Sequence, residues 1–206
     1  QFLDYGLSVA ASKNVTVSIG NIKEPINMER TMSLLDLAAH ERSATADAML
    51  PTRNFGVVVN GTAAKQRVSW AGGIFNDWLV DSGSLDDNAT VAIGRVTWLP
   101  FLSEDESNLF HVGLGVRYSD AEAGLQYRAR PEMGNAPRFV DTGFFEADSS
   151  TLYNLEAGWR SGPYWLLAEY TDNRVDAPNV GNPRFSGYHI SGTWSLSGEM
   201  RPYRKP

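Results

Sequence analysis

The charged side chains that could do chemistry in this sequence are few, and arginine dominates them. Arg128 and Arg130 stand two residues apart in an alternating segment, so they share one face of a strand. Arg30 and Arg42 lie in a long mixed insertion whose ends carry Lys23 and Arg53, and Arg138 sits in an irregular stretch further on. Arginine presents a planar fork of donors that pairs phosphate or carboxylate oxygens two at a time. Two carboxylates, Glu156 and Glu169, occupy the polar faces of successive alternating segments. Such a pair inside a β-structure is glycosidase equipment, yet nothing else in the sequence completes that site, and carboxylates facing water need no catalytic role. His40, His111 and His189 are scattered without metal-ligand spacing. No Gly-x-Ser-x-Gly elbow, phosphate loop or dinucleotide fingerprint occurs, and cysteine is absent. The expectation is therefore a non-enzyme with no cofactor and no metal.

The elements that hold these groups read as strands. Leu3, Tyr5, Leu7 and Val9 alternate with Asp4, Gly6 and Ser8, and Val15, Val17 and Ile19 with Thr16 and Ser18. Phe55, Val57 and Val59 follow, then Asn60-Gly61 as a tight-turn signal, then Val68, Trp70 and Ile74. Val96 and Trp98 oppose Arg95 and Thr97, and Phe110 to Tyr118 alternates with His111, Gly113, Gly115 and Arg117. Leu125, Tyr127 and Ala129 oppose Gln126, Arg128 and Arg130. The last three segments set Tyr153, Leu155 and Trp159 against Asn154, Glu156 and Arg160; Tyr164, Leu166 and Tyr170 against Leu167 and Glu169; and Tyr188, Ile190, Trp194 and Leu196 against His189 and Thr193. The sum is about ten antiparallel strands joined alternately by short turns and long polar loops, with the polar stretch 76–88 as one outer loop. That is the rhythm of an all-β, up-and-down barrel.

Composition narrows the class. The 206 residues are 42% hydrophobic and 20% charged, and no segment reaches the ~18 apolar residues of a spanning helix. A mean hydropathy of −0.29 does not exclude a barrel, whose lipid-facing and lumen-facing residues average out. Aromatic residues make up 11% and gather near strand ends, as in an interfacial girdle. The net charge of −6 argues against nucleic acid as a partner. The chain opens on Gln1 without an initiator Met or an apolar leader, so either a signal peptide has been removed or this is an internal fragment. No internal domain boundary is visible, so residues 1–206 read as a single, partial barrel domain.

Several pieces in order carry a resemblance. Gly20-Asn21-Ile22-Lys23-Glu24-Pro25, Glu41-Arg42-Ser43 and Arg53-Asn54-Phe55-Gly56-Val57 come first, then Ala71 to Asn76 and Gly94-Arg95-Val96-Thr97. Arg128-Ala129-Arg130-Pro131-Glu132, Asp141-Thr142-Gly143, Leu167 to Tyr170 and Gly198 to Tyr203 follow. With that order and spacing the chain resembles the phosphate-selective porins O and P over essentially its whole length.

The resemblance implies a bacterial outer-membrane barrel of about 16 strands when complete, of which this chain is part, assembled as a homotrimer in lipid. It implies a passive channel for small hydrophilic solutes, chiefly anions such as phosphate or polyphosphate, lined by arginines and narrowed by a loop that folds inward. Residues 24–52 are then the candidate constriction. A short helix over Met32–Ala39 is expected to project Arg42 into the opening, with Arg30 beside it and Lys23 and Arg53 at the base. Arg128, Arg130 and Arg138 would form a ladder along the wall. In the bland alternatives, Glu41–Arg42 is a surface ion pair, and the wall arginines merely neutralise carboxylates. Glu156 and Glu169 would pair with Arg160 or the ladder, or shift selectivity towards cations. Competing functions are a general porin of weak selectivity and a soluble β-barrel or sandwich that binds carbohydrate on its aromatics.

Overall fold

In the computed structural model, which describes residues 5–76, 90–121 and 124–203, one antiparallel sheet organises the chain. Its first six strands are β1 (Tyr5–Ser12), β2 (Val15–Ile22), β3 (Asn54–Ala63), β4 (Val68–Asn76), β5 (Thr90–Leu102) and β6 (Asn108–Asp120). A two-residue pair, β7 (Arg128–Ala129) and β8 (Val140–Asp141), stands apart as a second small sheet. The main sheet resumes with β9 (Ser149–Ser161), β10 (Tyr164–Asp176) and β11 (Arg184–Trp194), in the order β1-β2-β3-β4-β5-β6-β9-β10-β11. Among the described residues, β1 and β11 each pair with one neighbour only.

Two expectations are corrected here. The segment Leu125–Arg130 is not a barrel strand: β6 pairs directly with β9, from Asn108↔Ser161 to Asp120↔Ser149, and leaves no place between them. Residues 121–148 are instead an excursion, held by a cluster of Ala121, Tyr127, Ala147, Val175 and Ala177 with Phe145 and Phe185 against it. The alternation that suggested a wall strand arises because one side of this hairpin packs on the rim. Asn60-Gly61 is likewise not a turn. It lies within β3, and the chain reverses at Ala64, Lys65 and Gln66, all with positive φ. Gly61 is required for another reason: a Cβ there would lie 2.6 Å from the Asn14 carbonyl oxygen and 2.9 Å from the Trp70 ring. The expected outer loop at 76–88 falls outside the described residues except for Asn76, which ends β4.

The strands show what their two faces meet. Leu7, Val9, Ile74, Val96, Leu155, Leu166 and Ile190 are exposed on the outer face. Trp98, Phe110, Trp159, Tyr164 and Trp194 lie outward near the short-turn rim, with Tyr164 and Trp194 stacked at 5.9 Å. Tyr118, Tyr153, Tyr170 and Tyr188 lie outward towards the other rim. On β9 the two belts, at Trp159 and Tyr153, stand about 20 Å apart at ~3.3 Å per residue. A continuous apolar surface of this size would not persist against water, whereas two aromatic belts flanking an apolar band match a bilayer. No helix among the described residues is long and apolar enough to cross a membrane, and none is needed by a strand-built protein.

The inner face receives the insertion. Residues 23–53 leave β2 and return to β3, carrying helix α1 (Met28–Thr31), a 3₁₀ turn at Leu34–Asp36 and helix α2 (Ala44–Met49). The expected helix over Met32–Ala39 is therefore replaced by one turn, with Leu35 almost fully exposed. The helices start where side chains cap them: Asn27 accepts from the Arg30 N–H, and Ser43 from the Ala46 N–H. Ile26, Ala46, Leu50 and Leu152 form the apolar seat of the insertion, and Met28 packs with Leu99, Leu109, Trp165 and Leu167. The wall is cut away to admit it. A Cβ on Gly115 would collide with the Ile26 carbonyl, and one on Gly187 would lie 2.7 Å from Thr45 Oγ1.

Replacing Gly115 with Ala should lift the insertion while leaving strand pairing intact. Trypsin cleavage after Arg30 and Arg42 should accelerate in detergent micelles without loss of β-sheet circular dichroism. Gly94→Ala, where an added Cβ meets nothing within 4 Å, should behave as wild type.

Candidate functional site

Between the insertion and the inner wall lies a cavity of about 1270 Å³. It collects charge from both sides. The insertion contributes Lys23, Arg30, Arg42 and Arg53; the wall contributes Arg95; the excursion and the C-terminal segment contribute Arg130 and Arg201. Against these seven cations the lining holds four carboxylates, Asp36, Glu41, Asp47 and Glu132. Two of the four accept backbone N–H groups of the excursion: Asp47 from Arg130 at 3.0 Å, and Glu41 from Gly134 at 2.6 Å. The excursion thus closes over α2.

Of the residues singled out from sequence, Lys23, Arg30, Arg42, Arg53 and Arg130 come together at this cavity. Arg128 is exposed on β7, and Arg138 lies in the same excursion beside it; neither is among the cavity's lining residues. Three of the assembled cations also brace the insertion. Arg30 donates to the carbonyls of Ala46 and Leu50, at the C-terminal end of α2. Arg42 donates to the carbonyls of Glu29 and Met32, and Lys23 Nζ to those of Thr31 and Met32, closing the end of α1. Carbonyls accept these bonds without neutralising the charge. Burial, reinforced by the charge of Arg42, pulls Arg30 down to about 10, and burial pulls Arg42 below its usual value. An arginine at about 10 is still cationic at neutral pH.

Glu156 and Glu169 are buried at 5% and 4% exposure, directly opposite each other on β9 and β10. Neither pairs with Arg160 or with the arginines of the excursion. Glu156 accepts from Arg95 and from His111 Nε2 at 2.9 Å on the wall, and from the Met28 N–H at 2.7 Å on the insertion. Glu169 accepts from the Glu29 N–H at 2.9 Å and from Asn27 Nδ2 at 2.8 Å. Arg160 instead donates to the carbonyls of Arg201 and Glu106. A third tie runs the other way: Glu24, in the insertion, accepts from Arg117 Nε of β6 at 2.7 Å and from Asn54 Nδ2 at 2.6 Å.

Sequence reasoning passed over Arg95, Arg201, His111 and Arg117. Arg95 and Arg117 had a signal, being cations on the small-residue face of clean strands. Arg201 had none, because its place under the insertion, 5.6 Å over the Trp165 ring, depends on the path of the C-terminal segment. Glu29, Glu169 and His189 place ligand atoms within 4.8 Å of one another, a spacing a metal ion can use. The carboxylate oxygens there already accept protein donors, with Glu29 held by the Ser43 N–H and hydroxyl at 2.7 and 2.6 Å.

Comparison with known proteins fits this geometry. Residues 1–206 match the family described as phosphate-selective porin O and P. The chain belongs to that family. Porin O of Pseudomonas aeruginosa is 23% identical over 220 residues, covering 92% of this chain and 48% of Porin O. An uncharacterized protein of Caulobacter vibrioides is 26% identical over 186 residues, covering 80% of this chain and 35% of its own length. The chain therefore spans about half or less of the curated relatives it matches. Membership in the porin O and P family places it in the bacterial outer membrane, in agreement with its apolar outer face.

Within this porin fold, Arg95→Ala should cost about 3 kcal/mol of stability, because it leaves Glu156 buried without its strongest partner. Urea unfolding in detergent micelles measures this. Arg138→Ala, outside the site, should stay within about 0.5 kcal/mol of wild type.

Proposed function

We propose that this protein is a passive channel for small hydrophilic anions, phosphate among them, with residues 24–52 as its constriction. The observation that carries this reading is the inversion of charge. A chain of net charge −6 gathers seven cationic side chains against four carboxylates around one cavity. Arg42, Arg30, Arg53 and Lys23 supply the field from the insertion, with Arg130 and Arg201 around them, while Arg95 is paired with Glu156. Successive cations that each hold an anion weakly pass it along, and a fork that pairs phosphate bidentately favours that oxyanion over chloride. Arg128 and Arg138 act further out, on the excursion at the long-loop rim. Lipid surrounds the apolar face, and the open edges of β1 and β11 need strands to pair with in the bilayer. A homotrimer belongs to the same reading.

A general porin of weak selectivity is favoured by one observation: several of these arginines spend donors on carbonyls of the insertion. Reversal potentials in planar bilayers under asymmetric salt separate the two. The anion channel should give an anion-preferring value that moves towards zero in Arg53→Gln and Arg42→Ala, with Arg42→Lys nearer wild type. A value that is neutral or cation-preferring, and unchanged in those variants, overturns the anion reading.

A further inference from the structure

The carboxylates Glu156 and Glu169 have the wrong sign to hold an anion, yet they sit deepest in the contact between insertion and wall. Their positions are chemically expensive. They are Cα partners in the β9–β10 register, and like charges directly opposite one another destabilise a sheet. Both are also nearly inaccessible, so each needs donors in place of water.

The donors come from two sources, and the division is unequal. Glu156 has Arg95 and His111 from the wall as well as the Met28 N–H from the insertion. Every hydrogen bond that Glu169 makes among the described residues is donated by the insertion, from the Glu29 N–H and Asn27 Nδ2. His189 of β11 approaches Glu169 only to 3.9 Å and Glu29 to 3.8 Å. If the insertion lifts away, Glu156 keeps partners and Glu169 loses them. Asn27 turns the same contact into the start of α1, because its Oδ1 accepts from the Arg30 N–H at 2.9 Å. Seating of the insertion on Glu169 and the placement of Arg30 are thus one event. The wall is shaped for it: the Glu156 side chain lies across Gly113, and the Ile26 carbonyl lies against Gly115.

We infer that Glu169, with Glu156 beside it, is a positioning residue that latches the constriction onto the barrel wall through Asn27 and the Met28 and Glu29 N–H groups, and so fixes where the insertion's cations stand. This inference rests on the channel reading for its consequence, but the latch itself is testable without ion flow.

Three variants test it in the purified, folded protein: Glu169→Gln, Glu169→Ala and Asn27→Ala. A latch predicts that Glu169→Ala opens the insertion to trypsin after Arg30 and Arg42 by about tenfold or more, since the acceptors of two buried hydrogen bonds are lost. Glu169→Gln, which keeps one oxygen for the Glu29 N–H, should fall between wild type and Ala. Asn27→Ala, which changes no charge, should move cleavage and anion selectivity in the same direction as Glu169→Ala. The double variant should add little beyond either single change. In bilayers the latch variants should conduct with lower anion-to-cation permeability, Asn27→Ala included, although that change alters no charge.

Equal effects of Gln and Ala, higher anion selectivity in both, and an inert Asn27→Ala would overturn the latch and make Glu169 a simple charge. If Glu169→Ala does not fold, Asn27→Ala and Glu169→Gln still decide the matter. A wild-type protein without ion conductance sinks the channel reading alone, because the cleavage arms stand independently.

Discussion

Two carboxylates facing each other across adjacent strands are the constraint around which this molecule is arranged. A barrel wall that places Glu156 opposite Glu169 is repulsive by itself, and the cost is met by what lies on top of it. The backbone N–H groups at the start of α1, one Asn side chain and the Arg95–His111 pair supply the donors. The insertion is thereby attached at its first helix, and its remaining residues follow from that attachment. Glu29, whose N–H is bound to Glu169, uses its own carboxylate to hold Ser43 at the start of α2. The chain of contacts extends below as well, where His111 meets the Tyr203 hydroxyl at 2.7 Å and the C-terminal segment comes up beneath the insertion.

The cations have two duties that do not compete. Lys23, Arg30 and Arg42 terminate the two short helices by donating to carbonyls, which fixes the shape of a segment with too little apolar surface to fold alone. A carbonyl carries only a partial charge, so the same side chains still impose a positive field on the cavity. Carboxylates are used in the opposite way, bound to N–H groups or paired with wall cations, so that their charge is compensated locally. This sorting explains how an acidic chain encloses a basic cavity.

Periodicity made most of the wall legible in advance. Alternation assigned the faces of β2, β3, β4, β6, β9 and β10 and placed Glu156 and Glu169 inward, because a strand repeats every two residues and one face here is consistently apolar. The small residues of β6 were legible as an inner face, but not as a seat for the Ile26 backbone. Leu125–Arg130 shows where the method fails. A hairpin packed on the rim alternates as a wall strand does, and only the direct pairing of β6 with β9 separates the two. Asn60-Gly61 failed for a related reason: glycine makes room for Trp70 within a strand as readily as it makes a turn.

The sequence by itself determined the class of structure, the membrane-facing surface and which stretch was free to fold inward, since all of these are properties of neighbouring residues. It also placed arginines in that stretch. Only the tertiary structure decided what those groups do. The Met28 N–H and Glu156 are 128 residues apart, and the Glu29 N–H and Glu169 are 140 apart. Contacts over such separations exist only once the sheet has curled and the insertion has settled on it, and no local pattern encodes them.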